Sequence, residues 1–187
     1  MSNDATRLVT GVVRASYVNV FKPRETRNDD GSTKKQYSIA LLIPKGDTQT
    51  MKALKAAAEA AKEKKWGGKP PSGLKMPWHD GDGDKPNGGE YGPECKGHWV
   101  VNANANVENP PKVVDRQVRP ILDPAGFKSG DYCHVSLNLF GYDNKRKGVG
   151  VGLGNIQLVR SGEPLGSQRA PEDDFQVKAE EEGSEFD

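Results

Sequence analysis

Four glycines fall on every second residue from Gly148 to Gly154, with Val149, Val151 and Leu153 in the gaps. Period two is the repeat of an extended strand, because successive side chains point to opposite faces. A phosphate-binding loop needs a different glycine spacing, so residues 147–160 are read as a strand with one apolar face and one bare face. A bare face permits tight sheet curvature or the close approach of another backbone, and curvature alone is the preferred reading of the two. The preceding segment, 131–142, alternates as cleanly. Cys133, Val135, Leu137 and Leu139 take its apolar face, while Tyr132, His134, Ser136, Asn138, Phe140 and Tyr142 take the other. Residues 143–146 between the two segments carry a hairpin signal. An exposed face that mixes rings with polar groups is not required by a core.

The rest of the chain follows the same punctuation. Residues 7–22 read as one long strand in which Gly11 marks a bulge or bend. A turn signal at Asp30-Gly31 separates it from a second strand, 34–43, ending at Pro44. Residues 47–65 form a helix capped by Asp47 or Thr48, with Met51, Leu54, Ala58 and Ala61 as a thin apolar stripe suited to the outside of a sheet. From Trp66 to Gly97, fourteen of 32 residues are Gly or Pro, which marks a long functional or disordered loop. Strands resume at 98–107, where Asn102, Asn104 and Asn106 share one face, and at 112–121. Apolar residues make up 34 % of the chain, enough for one modest core. About six strands and one helix without βαβ alternation predict a mainly β protein, a small closed or partly closed antiparallel barrel with one helix after the second strand.

Charge divides the chain. Pro171 to Asp187 carries eight acidic residues against Lys178 alone, whereas residues 1–170 carry 26 basic and 18 acidic residues. The acidic segment is too charged and too poor in apolar residues to fold by itself. We therefore divide the chain into a folded domain, 1–165, and a disordered acidic tail, 166–187. Basic residues interleaved with exposed rings are the signature of single-stranded nucleic-acid binding, since phosphates need Lys and Arg and an unpaired base stacked on a ring contributes about 1–3 kcal/mol. The candidates are Arg14, Tyr17, Lys22, Arg24, Lys34, Lys35, Trp66, Lys75, Trp78, Tyr132, Tyr142, Lys145, Arg146 and Lys147. Core packing is the competing role for Tyr17, Phe21, Tyr37 and Trp99.

Other chemistries find little support. Cys95 and His98 are spaced as zinc ligands, but no second pair accompanies them beyond Cys133-His134. The run His79-Asp80-Gly81-Asp82-Gly83-Asp84 begins like a calcium loop and then fails, with Lys85 and Tyr91 where Gly and Glu are required. A metal-dependent nuclease using Asp80, Asp82 and Asp84 is the enzymatic alternative, and an RNA-binding barrel the other. No cofactor motif is present. No apolar run approaches the roughly 20 residues of a membrane helix, and the N-terminus has no secretory pattern.

Taken together, several segments resemble one family, the OB-fold single-stranded DNA-binding proteins of tailed bacteriophages. They are Tyr17 to Pro23 (YVNVFKP), Tyr37 to Pro44 (YSIALLIP) followed directly by the helix, and Met76 to Gly83 (MPWHDGDG). Val113-Val114-Asp115, the strand before Gly141-Tyr142, the glycine-alternating last strand and Glu185-Phe186-Asp187 complete the set. The resemblance spans roughly 7–187. It implies an OB-like barrel that coats single-stranded DNA without strong sequence preference during phage replication, recombination or repair. It also implies a non-enzymatic protein of the host cytoplasm with no cofactor or membrane association. The acidic tail would compete with DNA and recruit replication proteins such as a polymerase through Glu185, Phe186 and Asp187. Self-association as a homo-oligomer is left open.

Overall fold

The computed structural model describes residues 5–27, 31–86, 88–144 and 146–165. Lys145 and the whole acidic tail, with Glu185, Phe186 and Asp187, lie outside the described residues. The elements in chain order are β1 (Arg7–Val9), β2 (Val13–Arg27), β3 (Thr33–Pro44), α1 (Thr48–Trp66) and β4 (Trp78–Asp80), then β5 (His98–Asn106), β6 (Val113–Val114), β7 (Tyr132–Asp143) and β8 (Lys147–Arg160).

The described residues are mainly β with one α-helix, and their pairings run in a circuit. β2 pairs β3, β3 pairs β5, β5 pairs β8, β8 pairs β7, and β7 returns to β2 through Val13↔Cys133 and Arg14↔Tyr132. The expected all-antiparallel pattern needs correction at two places. β5 meets β8 in parallel at Asn104↔Gly152, and β6 also runs parallel to β8. The circuit encloses the alternating apolar faces. Ile39, Leu41, Val101, Ala103, Val135, Leu137, Val149 and Val151 are all buried in one cluster. Burial of this apolar surface is the main force holding the sheet in its curve.

The helix joins the same cluster through Met51, Leu54, Ala57, Ala58 and Ala61. It begins where the Asp47 carboxylate accepts a hydrogen bond from the Thr50 backbone N–H at 3.0 Å, which satisfies one of the open donors of a helix start. Its first turn packs against the chain at Gly11, whose backbone N–H donates to Thr50 Oγ1 at 2.9 Å. A Cβ on Gly11 would lie 2.6 Å from Asp47 Oδ2. Gly11 therefore does more than bend a strand. It ends β1 and lets the helix cap dock, so the single strand expected over 7–22 is two strands with a break between Val9 and Val13.

Three further expectations change. The β2–β3 hairpin is longer than read, with Arg24↔Gln36 to Arg27↔Thr33 paired beyond the curve of the sheet. Residues 112–121 contribute only Val113–Val114 as strand. Asp115 then draws the chain into a turn, its carboxylate accepting from Gln117 N and Arg119 N, each at 2.9 Å. The Gly/Pro-rich stretch from 66 to 97 is also partly regular, containing β4 paired to β5 and a 3₁₀ turn at Pro93–Cys95.

Candidate nucleic-acid interface

On the outer face of the β7–β8 pair the glycines meet the rings. Phe140 lies opposite Gly150, Tyr142 opposite Gly148, and Asn138 opposite Gly152. A Cβ on Gly150 would stand 2.7 Å from Phe140 Cζ, and one on Gly148 would stand 2.7 Å from Tyr142 Oη. Both rings thus rest on the bare backbone of β8, a cross-strand device in which an aromatic side chain covers a glycine. At Gly148 another backbone also approaches, as Lys75 N donates to Lys147 O at 3.1 Å and Val149 N donates to Lys75 O at 2.9 Å. Curvature alone, the preferred sequence reading of these glycines, is therefore insufficient.

The rings border a trough of 1140 Å³. Its bed is the outer face of β5 and β7, with Asn102, Asn104, Asn106, Asn138 and Phe140. Along its edges, on strand starts and loops, stand Arg7, Lys34, Lys75 and Arg146. His79 also lines the trough, and burial pushes its imidazole below the ordinary 6.5. A depression of 370 Å³ shares Asn102 and Asn104 with the trough and extends it to Ser38, Arg24 and Tyr17. Tyr17 is 61 % exposed and adopts φ 47°, at the register shift between Ser16 and Asn19. A bulky residue held in the left-handed region stores strain of order 1–3 kcal/mol. The bulge turns Tyr17 out of the core face occupied by Val13 and Ala15, so core packing is not its role.

Of the sequence candidates, Lys34, Lys75, Tyr142 and Arg146 line the trough, and Tyr17 and Arg24 line its extension. Lys22 and Lys35 are exposed on the β2–β3 hairpin, Lys35 opposite Glu25. Lys147 stands 4.0 Å from Asp143 across the β7–β8 turn. Arg14 and Tyr132 gather elsewhere. Arg14 donates to the carbonyls of Gly130 and Glu163 at 3.0 and 2.8 Å. Its guanidinium lies 5.4 Å from the Tyr132 ring centroid, and that of Arg160 lies 4.1 Å from it. Two cations on one ring tie the end of the described chain to the start of β7. Trp66, closing α1, packs beside Gly141, where a Cβ would be 3.0 Å from its Cζ3. Trp78 is half-buried against the core. Phe140, Arg7 and the β5 asparagines are trough residues absent from the sequence candidates. The signal for Phe140 was available, since it alternates with buried Leu139 and faces the glycine strand.

The acidic run has another use. Lys45 Nζ contacts Asp80 Oδ1 at 2.6 Å and Asp82 Oδ2 at 2.8 Å. Hydrogen bonds to Asp80 and then Asp82 raise its ammonium above 10.5. The same lysine holds both carboxyls below 3.8. Asp82 Oδ1 also accepts from Gly97 N at 3.1 Å. These carboxylates latch the loop before β5 to the end of β3. Among the described residues, no cluster of three His, Cys, Asp or Glu side chains is placed to hold a metal ion. Cys95 and Cys133 are both buried and unbridged.

The fold places the chain in a recognisable class. The solved single-stranded DNA-binding protein from bacteriophage Enc34 in complex with ssDNA superposes with a TM-score of 0.70 at 25 % identity, over 86 % of this chain and 90 % of that one. Residues 6–186 match the family model described as Enterobacter phage Enc34, ssDNA-binding protein, and the chain belongs to that family. It is also 27 % identical over 184 residues to putative protein p50 of Acyrthosiphon pisum secondary endosymbiont phage 1, covering 91 % of this chain and 94 % of that relative. The gp2.5 single-stranded DNA-binding protein of bacteriophage T7 shares the fold at 16 % identity with a TM-score of 0.55, over 87 % of this chain and 98 % of its own.

Proposed function

We propose that this chain binds single-stranded DNA in the trough, without strong sequence preference and without chemical turnover. It would act during phage DNA replication, recombination or repair in the host cytoplasm. The closed strand circuit supports reading the body as an OB-like barrel, the architecture whose sheet face and loops bind oligonucleotides. The observation that carries the proposal is the pair of rings, Phe140 and Tyr142, laid on a glycine strand beside an edge of Lys34, Lys75 and Arg146. Flat rings accept any base and cations accept any phosphate, so the arrangement suits a strand of arbitrary sequence. The Enc34 relative, solved with ssDNA, supports the same site class.

Binding then proceeds by stacking and by release of counterions from the phosphates. The acidic tail lies outside the described residues and enters on charge alone. Its eight acidic residues compete for the edge cations when DNA is absent. Once displaced, Glu185, Phe186 and Asp187 are free to engage a replication protein such as a polymerase. A labelled oligo-dT incubated with the protein and magnesium separates binding from hydrolysis. The expected result is a stable complex containing full-length oligonucleotide. Shortened product would support the metal-dependent nuclease instead, and tighter binding of oligo-rU than of oligo-dT would support an RNA-binding role.

A further inference from the structure

We infer that Asn102, Asn104 and Asn106 form a ladder that hydrogen-bonds the edges of unpaired bases and thereby selects a single strand over a duplex. The inference rests on the trough being the DNA site and deepens that reading. The three asparagines occupy alternate positions of β5 and all are exposed on its outer face. Residues two apart on a strand are about 6.7 Å apart, so each carboxamide can meet a different base. All three line the trough, and Asn102 and Asn104 also line its extension toward Tyr17.

Among the described residues, these three carboxamides make no hydrogen bond to the protein. Their neighbours do. Asn138 Oδ1 accepts from Thr6 at 2.9 Å, Asn19 donates to the Tyr17 carbonyl at 3.1 Å, and Gln157 donates to the carbonyls of Asp115 and Arg116. Asn138, though it lies in the bed of the trough, is engaged by Thr6, whereas the three β5 amides are held open. Asparagine is also depleted in strands, so three on one strand oppose local preference, which is the usual mark of a functional constraint.

The distribution of charge assigns the bed to bases. Lys34, Lys75 and Arg146 stand on strand starts and loops at the trough's edges, and the β5 face between them carries only neutral groups. Phosphates therefore go to the edges. A carboxamide presents a donor and an acceptor side by side, and every base shows a neighbouring donor and acceptor on its pairing edge. One amide can thus satisfy any of the four bases by rotating, which preserves sequence tolerance. In a duplex those edges are already taken by the complementary strand.

The test compares the parent with Asn104→Ala and with the combined Asn102→Ala, Asn104→Ala and Asn106→Ala variant. Three probes of equal length are used: oligo-dT, an oligonucleotide of abasic sites, and duplex DNA. Circular dichroism confirms the fold, which solvent-facing substitutions should leave intact. Affinity of the triple variant for oligo-dT should fall roughly threefold to tenfold for each amide removed, with Asn104→Ala giving one such step. Its salt dependence should be unchanged. Binding of the abasic probe and of duplex should match the parent, so the preference for single strands shrinks. A triple variant that binds oligo-dT as the parent does, or that loses equally on the abasic probe, overturns the ladder while leaving the DNA site intact. A parent that ignores oligo-dT overturns the DNA reading and the ladder with it.

Discussion

Phe140 is 46 % exposed between two residues whose faces are opposite to its own, and it sits on a glycine. A ring in that position is available for stacking and contributes little to the core. Phe140→Ala should therefore weaken oligo-dT binding by about 1–3 kcal/mol, while the melting temperature stays within a degree or two of the parent. Gly150→Val should also weaken binding, since its Cβ would stand 2.7 Å from the ring and displace it. Tyr132 should behave oppositely. Its ring anchors Arg14 and Arg160, so Tyr132→Ala should lower stability and leave affinity for DNA unchanged. An anisotropy titration paired with thermal melting distinguishes these outcomes. Burial pushes the Cys133 thiol up to about 12. Because the thiolate is the nucleophile, iodoacetamide near pH 8 should leave Cys133 unmodified in the native protein and alkylate it after denaturation.

Elements divide into those set by neighbours in sequence and those set by contacts far along the chain. The helix belongs to the first kind. Asp47 caps it, and Asp47→Ala should destabilise the protein by about 0.5–2 kcal/mol in a urea titration. The latch between β3 and the loop before β5 belongs to the second. Its carboxyls have lowered values, so their contribution is present above the ordinary 3.8 and is lost as pH falls through the lowered values. Lys45 is raised above 10.5, so its contribution persists until pH rises through that raised value. The protection factor of the Gly97 amide, whose N–H donates to Asp82, should be highest between these limits and fall at the acid end. Lys45→Met should weaken that protection and move its loss at the acid end to higher pH, since Asp82 keeps only its hydrogen bond from Gly97. The same division explains what was legible in the sequence. The helix, the β7–β8 hairpin and the alternating core residues announce themselves through caps, turns and period. Lys34, Lys75, Tyr142 and Arg146 carry charge or aromatic character that marks them in the sequence, and the fold sets them along the trough. Arg14 and Tyr132 bear the same marks, but residues 161–165 fold back on them, which no local pattern announces. Asn102, Asn104 and Asn106 are legible in the sequence only as one face of a strand, because only the folded sheet brings them into the trough. The strand expected over 112–121 gave way to the hydrogen bonds of Asp115, a side chain competing with the sheet for its own backbone.

For the whole molecule, the near-zero net charge of +1 conceals a basic body joined to an acidic tail. On the proposed function, a segment of this length would present its charge to the body at an effective concentration of order millimolar. Deleting residues 171–187 should raise affinity for oligo-dT, most at low salt where attraction between tail and body is least screened. On the proposed function it should also abolish binding of a replication protein, and Phe186→Ala should damage that step more than DNA binding. The most direct test of the account is one titration series: labelled oligo-dT and duplex DNA of equal length, each against the intact protein over a tenfold range of salt. Four edge cations, Arg7, Lys34, Lys75 and Arg146, give an expected log–log slope of roughly −3 for the single strand, about a thousandfold loss across that range. The single strand should be bound far more tightly than duplex at every salt concentration. Equal affinity for the two, or a flat salt profile for oligo-dT, would contradict a stacking trough edged by cations.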